Sequence, residues 1–466
     1  MRLKATAVAL TALLCSSCSQ PGRIIGSRPA ELSMPPGIQV AFNHREAGRY
    51  QSPLSGDWRD GDDLEQFIVA AIDQAETSLL VAVQELSLAR LATSLIEAKQ
   101  RGVNVQLVLE NNYSSPWTEQ QPTHLSRHQR HRWHQLNQLA DANGNGITTA
   151  TEARQGDALR LLQQAGVPMV DDTEDGSSGS GLMHHKFVVI DDRIVITGSA
   201  NFTSSGIHGD AGKASTRGNV NHLLRFDSPE LAAVFRREFE LLWGDGPGGE
   251  QDSRFGLAKR AAGVQRVMVG RTPVEVLFAP HPKRNPAHGL NWLAELLGSA
   301  QRSIDMALFV FSAQQLADVL QEQASQGIRI RLLADPGFAS RSFSEVLDLL
   351  GVALPDRDCK LETNNQPFQQ PLRGVGTPRL ARGDKLHHKF AVIDNKTVIT
   401  GSFNWSPSAA HTNDETLLVI HSPQLAQHFT REMDRLWDRA KLGITPHLQR
   451  KLDRQRIRCG DGVERG

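Results

Sequence analysis

The strongest constraint on this chain is that it carries one long motif twice. "MHHKFVVIDDRIVITGSANFT" runs from Met183 to Thr203, and "LHHKFAVIDNKTVITGSFNWS" from Leu386 to Ser406. Both read His-x-Lys, four residues, Asp, six residues, Gly-Ser-x-Asn. The repetition reaches further back. Leu64–Asn111 and Leu290–Pro336 share an order of amphipathic helix, apolar strand, second helix, Gly turn (Gly102, Gly327) and β-branched strand. The strands are expected at Ser78–Val83 and Ser303–Phe309, then Val103–Leu109 and Ile328–Leu333. Helix and strand alternating across short turns is the α/β pattern. Each motif then reads as a hairpin, turning through Asp-Asp-Arg or Asp-Asn-Lys into "VITGS". Each copy closes with a helix that begins on Pro and ends on Trp (Trp243, Trp437), where the Trp serves packing.

A chain of 466 residues is too long for one ordinary core, so two halves are expected. They are placed at 56–245 and 271–445, with an N-terminal segment at 19–55, a Gly- and Pro-bearing linker at 246–270 and a tail at 446–466. With both half-sites in one chain, a monomer suffices. Lys+Arg and Asp+Glu number 51 each, which argues against a global field drawing in nucleic acid but leaves room for local basic patches.

Side chains alternate faces along a strand, so a His and a Lys two apart point the same way. The hairpin returns Ser and Asn beside them. Each copy thus offers an imidazole, an ammonium, a hydroxyl and an amide: His184, Lys186, Ser199 and Asn201, then His387, Lys389, Ser402 and Asn404. Two such surfaces facing each other would form a phosphate site, with Lys as point charge, Ser and Asn as donors and His for chemistry.

The doubled motif resembles the signature of the phospholipase D superfamily, from about Leu64 to Trp437 apart from one insertion. The resemblance implies an α/β fold of two similar α-β-α halves with mixed sheets, related by a pseudo-twofold and packed around a shared active site. It implies a two-step mechanism without a catalytic metal. One neutral imidazole attacks phosphorus in line, and the other protonates the leaving alkoxide and later activates water. Lys186, Lys389, Asn201 and Asn404 would stabilise the equatorial oxygens, with Ser199 and Ser402 in support. Asp191 and Asp394 are expected as structural partners of the site's cations and of the hairpin, and His185 and His388 as structural residues on the other strand face. In the family, a downstream carboxylate orients the nucleophile of the opposite half. "NDETLLVI" offers Glu415, whereas "NVNHLLRF" offers Asn221 at the matching place. His184 is therefore expected as nucleophile and His387 as acid.

The first half carries an insertion at about 113–165. Within it "DANGNGITTATE" fits an EF-hand calcium loop: side-chain oxygens from Asp141, Asn143 and Asn145, a turn at Gly146, the Ile147 carbonyl and the Glu152 carboxylate, between helical flanks. Two Asn in place of Asp imply weak binding, about 0.1–1 mM, and a structural or regulatory role. The alternative is a plain Asn-Gly turn. "HLSRHQRHRWHQ" before it reads as a solvated helix face that could meet phosphate, and "DGSSGSG" (Asp175–Gly181) as a loop at the site's mouth.

"MRLKATAVALTALLCSSCSQ" has a basic start, a short apolar run and Cys18 after two serines. It reads as a signal peptide over residues 1–18 of lipoprotein type, placing the mature protein outside the cytoplasm, in periplasm, outer membrane or medium. Cys359 and Cys459 remain, either bridged or as two thiols. The leading expectation is a phosphodiesterase that cleaves the distal phosphodiester of phospholipids at a membrane surface. A nuclease, or a phosphatidyltransferase of the cardiolipin-synthase kind, would use the same site.

Overall fold

The computed structural model describes residues 28–173 and 181–460. The signal-peptide stretch and most of "DGSSGSG" lie outside the described residues. Two mixed sheets carry the two halves. The first runs Ile38–Phe42, His222–Asp227, Ile194–Gly198, Lys186–Ile190, Ser78–Val83, Asn104–Leu109, Met169–Asp171. The second keeps that order with Thr272–Ala279, Glu415–His421, Thr397–Gly401, Lys389–Ile393, Ser303–Leu308, Arg329–Ala334 and Val375–Thr377. It adds Gln265–Val269 at one edge and Lys441–Leu442 at the other.

Both motif hairpins form. Asp191 and Asp192 have φ of 51° and 54°, and Asp394 and Asn395 have 53° and 54°, the paired left-handed residues of a tight hairpin turn. Asp and Asn tolerate that conformation better than other side chains. The glycine of each motif answers to crowding: a Cβ at Gly401 would stand 2.2 Å from the Thr416 carbonyl, and one at Gly198 2.4 Å from that of His222. The final strand of each half can therefore lie tight against the motif strand.

Each sheet buries its outer face under helices that include Leu64–Ile72, Ala89–Gln100 and Ala158–Gln164 in one half, and Gly289–Gly298, Gln314–Ser325 and Glu345–Leu349 in the other. The inner faces share one apolar cluster with the closing helices Pro229–Trp243 and Pro423–Trp437, where Phe42 and Phe235 of one half meet Phe429 and Phe278 of the other. At roughly 25 cal/mol per Å2 of buried apolar surface, this cluster ties the halves together.

Several sequence-based boundaries shift. The segment 19–55 is not separate: Ile38–Phe42 pairs with His222–Asp227. The stretch 246–270 is no spacer, since Gln265–Val269 joins the second sheet and Lys259 is buried, paired with Glu238 and with Asp414 at 2.8 Å. The tail folds as a helix, Pro446–Cys459, and Cys359–Cys459 is a disulfide with its Cα atoms 5.5 Å apart. The strand expected to include Phe309 ends at Leu308, and its neighbour runs Arg329–Ala334 rather than Ile328–Leu333. In the first half that neighbour begins at Asn104 rather than Val103. The insertion is helical, with Arg127–Ala140, Ala150–Gly156 and Ala158–Gln164.

Candidate active site

Backbone hydrogen bonds cross between the halves beside each motif histidine. His184 N donates to Asp414 O at 2.9 Å, and Asp414 N to Leu182 O at 2.8 Å. The matching pair is His387 N to Val220 O at 3.0 Å, and Val220 N to Lys385 O at 2.8 Å. The backbone of each motif histidine is thus fixed to the residues just before the other half's final strand.

The two imidazoles have unlike partners. His184 Nδ1 lies 2.7 Å from Glu415 Oε2, a buried carboxylate that also accepts from Ser402 Oγ at 2.6 Å. His387 Nδ1 lies 3.0 Å from both Asn221 Oδ1 and the Ser199 carbonyl. Ser199 Oγ donates to Asn221 Oδ1 at 2.8 Å, and Asn221 Nδ2 donates to Gly206 O at 2.7 Å. Two acceptors face His387 Nδ1, while Lys389 Nζ stands equally close to both ring nitrogens, so the acceptors place the proton on Nδ1, as the carboxylate does on Nδ1 of His184. That tautomer leaves Nε2 as the unprotonated nitrogen of each neutral ring.

Lys186 Nζ donates to the His184 carbonyl at 2.7 Å and to Gln84 Oε1 at 3.3 Å, and Asn201 Nδ2 donates to the same oxygen at 3.1 Å. Lys389 Nζ donates to the His387 carbonyl at 2.8 Å and stands 3.2 Å from both ring nitrogens of His387. Gln84 and Phe309 were missed by sequence reasoning. They follow equivalent strands, Gln84 joining Lys186 to Asn201 and Phe309 packing on His387 with ring centres 4.6 Å apart. Aligning "QELS" with "FVFS" after those strands marks the position, but no pattern distinguished its two occupants. The Oδ1 atoms of Asn201 and Asn404 are buried without a hydrogen bond among the described residues.

Burial, then the Lys186 and Lys389 charges, holds His184 well below its ordinary pKa. His387 is lowered likewise by burial, Lys389 and Lys186, with His184 itself contributing, which puts the two rings in each other's field. Burial lowers Lys389 well below the usual lysine range, and Lys186 to about 7. Burial pushes Glu415 up to about 7 against the opposing pull of Lys186 and Ser402. Such a site binds an anion readily, since a phosphodiester supplies the charge that two buried ammoniums lack. Lys186 loses its charge as the pH rises through about 7. KM for a phosphodiester is therefore expected to rise above that pH, approaching tenfold per pH unit. Initial rates measured across that range check it, and a flat KM contradicts it.

Asp191 and Asp394 were expected near the site's cations, and here the sequence reading is corrected. Asp191 accepts from the amides of Glu76, Thr77 and Ser78, and Asp394 from those of Gln301, Arg302 and Ser303. Each pins its hairpin turn to the residues that start the neighbouring strand, because a carboxylate in the left-handed turn faces that strand's free N–H groups. Burial alone would raise the pKa of Asp191, but the Ser78, Glu76 and Thr77 hydrogen bonds outweigh it and hold it below the usual carboxylate value. A lowered pKa stabilises the fold at neutral pH and is lost as pH falls through that value. Asp191→Ala should cost about 1.5–3 kcal/mol at neutral pH. Denaturant titration at neutral and at acid pH checks both the size of the loss and its disappearance in acid.

His185 and His388 are structural as expected. His185 bridges Thr416 Oγ1 at 2.8 Å and Glu238 at 3.0 Å, and His388 bridges His222 at 2.9 Å and Glu432 at 3.0 Å. In the insertion, Asp141 Oδ2 accepts from Gly146 N at 2.7 Å, Asn145 Oδ1 from Ile147 N at 2.8 Å, and Glu152 Oε1 from Asn143 Nδ2 at 2.7 Å. The other Glu152 oxygen caps its helix through Thr149. Among the described residues, no group of three or more His, Cys, Asp or Glu is placed to hold a metal ion. The loop offers two carboxylates and two amides. Arg132, from the His- and Arg-rich run, pairs with Glu85 at 2.6 Å.

Two equivalent sheets bring paired His-Lys sets into one buried centre in which each ring lies in the field of the other half's lysine. The family described as "Cardiolipin synthase, PLD-like domain" matches residues 68–243 and 293–437, more than half of the chain and both halves. The chain belongs to this phospholipase D-like enzyme family. The mitochondrial cardiolipin hydrolase of Xenopus tropicalis is 30% identical over 186 residues, 38% of this chain and 76% of that one. That of Chlamydomonas reinhardtii is 29% identical over 152 residues, 33% of this chain and 59% of its own length. The phosphatidylserine synthase of Haemophilus influenzae shares the fold, with a TM-score of 0.53 at 13% identity, covering 91% of this chain and 94% of that one.

Proposed function

We propose that this protein hydrolyses the distal phosphodiester of phospholipids through a phosphohistidine on His184. The observation that carries this is the unequal pairing of two neighbouring imidazoles, Glu415 on His184 and Asn221 on His387. A carboxylate stabilises the cationic ring formed when Nε2 attacks phosphorus, and an amide does so less. His387 then donates its proton to the leaving alkoxide and takes one from water, whose oxygen displaces His184 from phosphorus. An anionic phosphate entering between the lysines raises the depressed pKa of His387, so the acid gains its proton once substrate is bound. Lys186 and Lys389, already held by backbone carbonyls, meet the developing charge without reorganising.

Lipid is favoured over nucleic acid by the balanced charge and by the names of the cardiolipin hydrolase relatives. The signal-like start supports an extracytoplasmic place of action. The chain, incubated with chelator and separately with phosphatidylcholine, cardiolipin and plasmid DNA, should release lipid head groups. Product from DNA alone would replace this reading with a nuclease, and lipid-to-alcohol transfer without hydrolysis would replace it with a transferase.

The Asp141–Glu152 loop is proposed as a weak calcium site that stiffens the insertion and takes no part in catalysis. Calcium at about 1 mM should raise the melting temperature of the wild type and not of Glu152→Gln. Equal curves with and without calcium leave it a turn.

A further inference from the structure

A cavity of about 560 Å3 lies beside the second half-site, within the size range of small-ligand pockets. Its wall carries Arg379, Lys385, Lys441 and Arg450. Among the described residues none of the four is in an ion pair, although the chain has salt bridges elsewhere. The two carboxylates in the wall are turned to backbone N–H groups. Asp335 accepts from Gly337 N at 2.8 Å and Leu386 N at 3.0 Å, and Asp384 from Arg217 N at 2.8 Å. Burial also raises both carboxylates, Asp384 to about 6, which leaves the wall still more positive. Four cations without a salt bridge around one hollow, only Lys385 of them in the field of Asp335, favour an anion there.

The wall adjoins the chemistry on one side only. Asp335 holds the amide of Leu386, the residue before His387. Lys385 Nζ stands 5.7 Å from the centre of the Phe309 ring, which packs on His387. His387 is the group assigned to protonate the leaving oxygen, and the wall reaches it through Asp335, Lys385 and Phe309, so the cavity is the hollow next to the leaving-group side. We propose that the cavity receives the head group of the phospholipid and selects one that carries its own phosphate over a zwitterionic one. This rests on the lipid-hydrolase reading above. Lys441 and Arg450 come from the edge strand Lys441–Leu442 and the helix Pro446–Cys459, which follow the closing helix of the second half, so half of the cationic wall lies past the repeated elements.

The test uses short-chain phospholipids as monomers in solution, which removes attraction to a charged vesicle surface. The intact chain and the variant Arg379→Ala/Arg450→Ala, both exposed positions, are compared on phosphatidylinositol 4-phosphate and phosphatidylcholine. The wild type should favour the phosphorylated head group in kcat/KM, and the variant should lose about tenfold of that ratio. A ratio unchanged by the variant, or a wild type that favours choline, overturns the proposal. Calorimetry with glycerol 3-phosphate reads the subsite without turnover. Two bound per wild-type chain and one per variant chain support it, even if no lipid is cleaved, in which case the subsite stands and the lipid reading falls. One bound per wild-type chain overturns it. Loss of inhibition by inorganic phosphate in the variant, with the substrate ratio intact, assigns the cavity to free phosphate and also overturns the head-group proposal.

Discussion

His184→Ala is expected to lower kcat by at least about 10⁴-fold on every phosphodiester, whatever its leaving group, because the proposed nucleophile is gone. His387→Ala behaves differently. On a lipid, whose alkoxide leaves only with a proton, the loss is about 10²–10⁴-fold, the usual worth of a general acid. On a p-nitrophenyl phosphodiester, whose leaving group departs unprotonated, formation of the phosphoenzyme is largely spared and a burst of nitrophenol about equal to the enzyme should follow. The two histidines are near mirror images in the fold, so this split in leaving-group dependence isolates their roles from their positions. Equal losses for both variants on both substrates would remove the assignment. Near-UV circular dichroism should match for the two proteins, since each ring's backbone bonds across the halves remain in the alanine variants.

Glu415→Gln is expected to cost about 10²–10⁴-fold in kcat. The hydrogen bond to His184 Nδ1 survives, but the charge that stabilises the phosphorylated, cationic ring does not. Asn221→Ala removes one of two acceptors on His387 Nδ1 and leaves the Ser199 carbonyl, so its cost should be about tenfold or less. Steady-state and burst kinetics on one substrate make the comparison. The asymmetry is the prediction: if Asn221→Ala is the more damaging, the charged half and the nucleophilic half have been exchanged.

Much of this was legible because the repeat is legible. A His and a Lys two apart on an apolar strand declare a shared face, and Gly-Ser-x-Asn after a tight turn declares where the chain returns. The pairing of Glu415 with His184, 231 residues apart, was readable only by setting the two copies side by side. What the sequence hid followed from tertiary placement. Asp191 and Asp394 sit at the motif's centre, yet they face strand-start amides, since a left-handed turn directs its first side chain away from the site. Gln84 and Phe309 occupy equivalent places with unrelated chemistry, and periodicity shows only that a strand ends there. The stretch around Lys259 looked like a spacer because Gly and Pro dominate its start. A lone lysine in it gives no hint that two carboxylates wait in the core. The edge strand Lys441–Leu442 was unreadable because two residues are too short to show alternation.

Rapid quench of a single turnover, followed by phosphorus NMR and peptide mapping of the labelled protein, tests the central claim most directly. One phosphoryl group per chain, on Nε2 of His184, is the expected result, because Nδ1 is held by Glu415. Label on His387, or on Nδ1 of either ring, would contradict it.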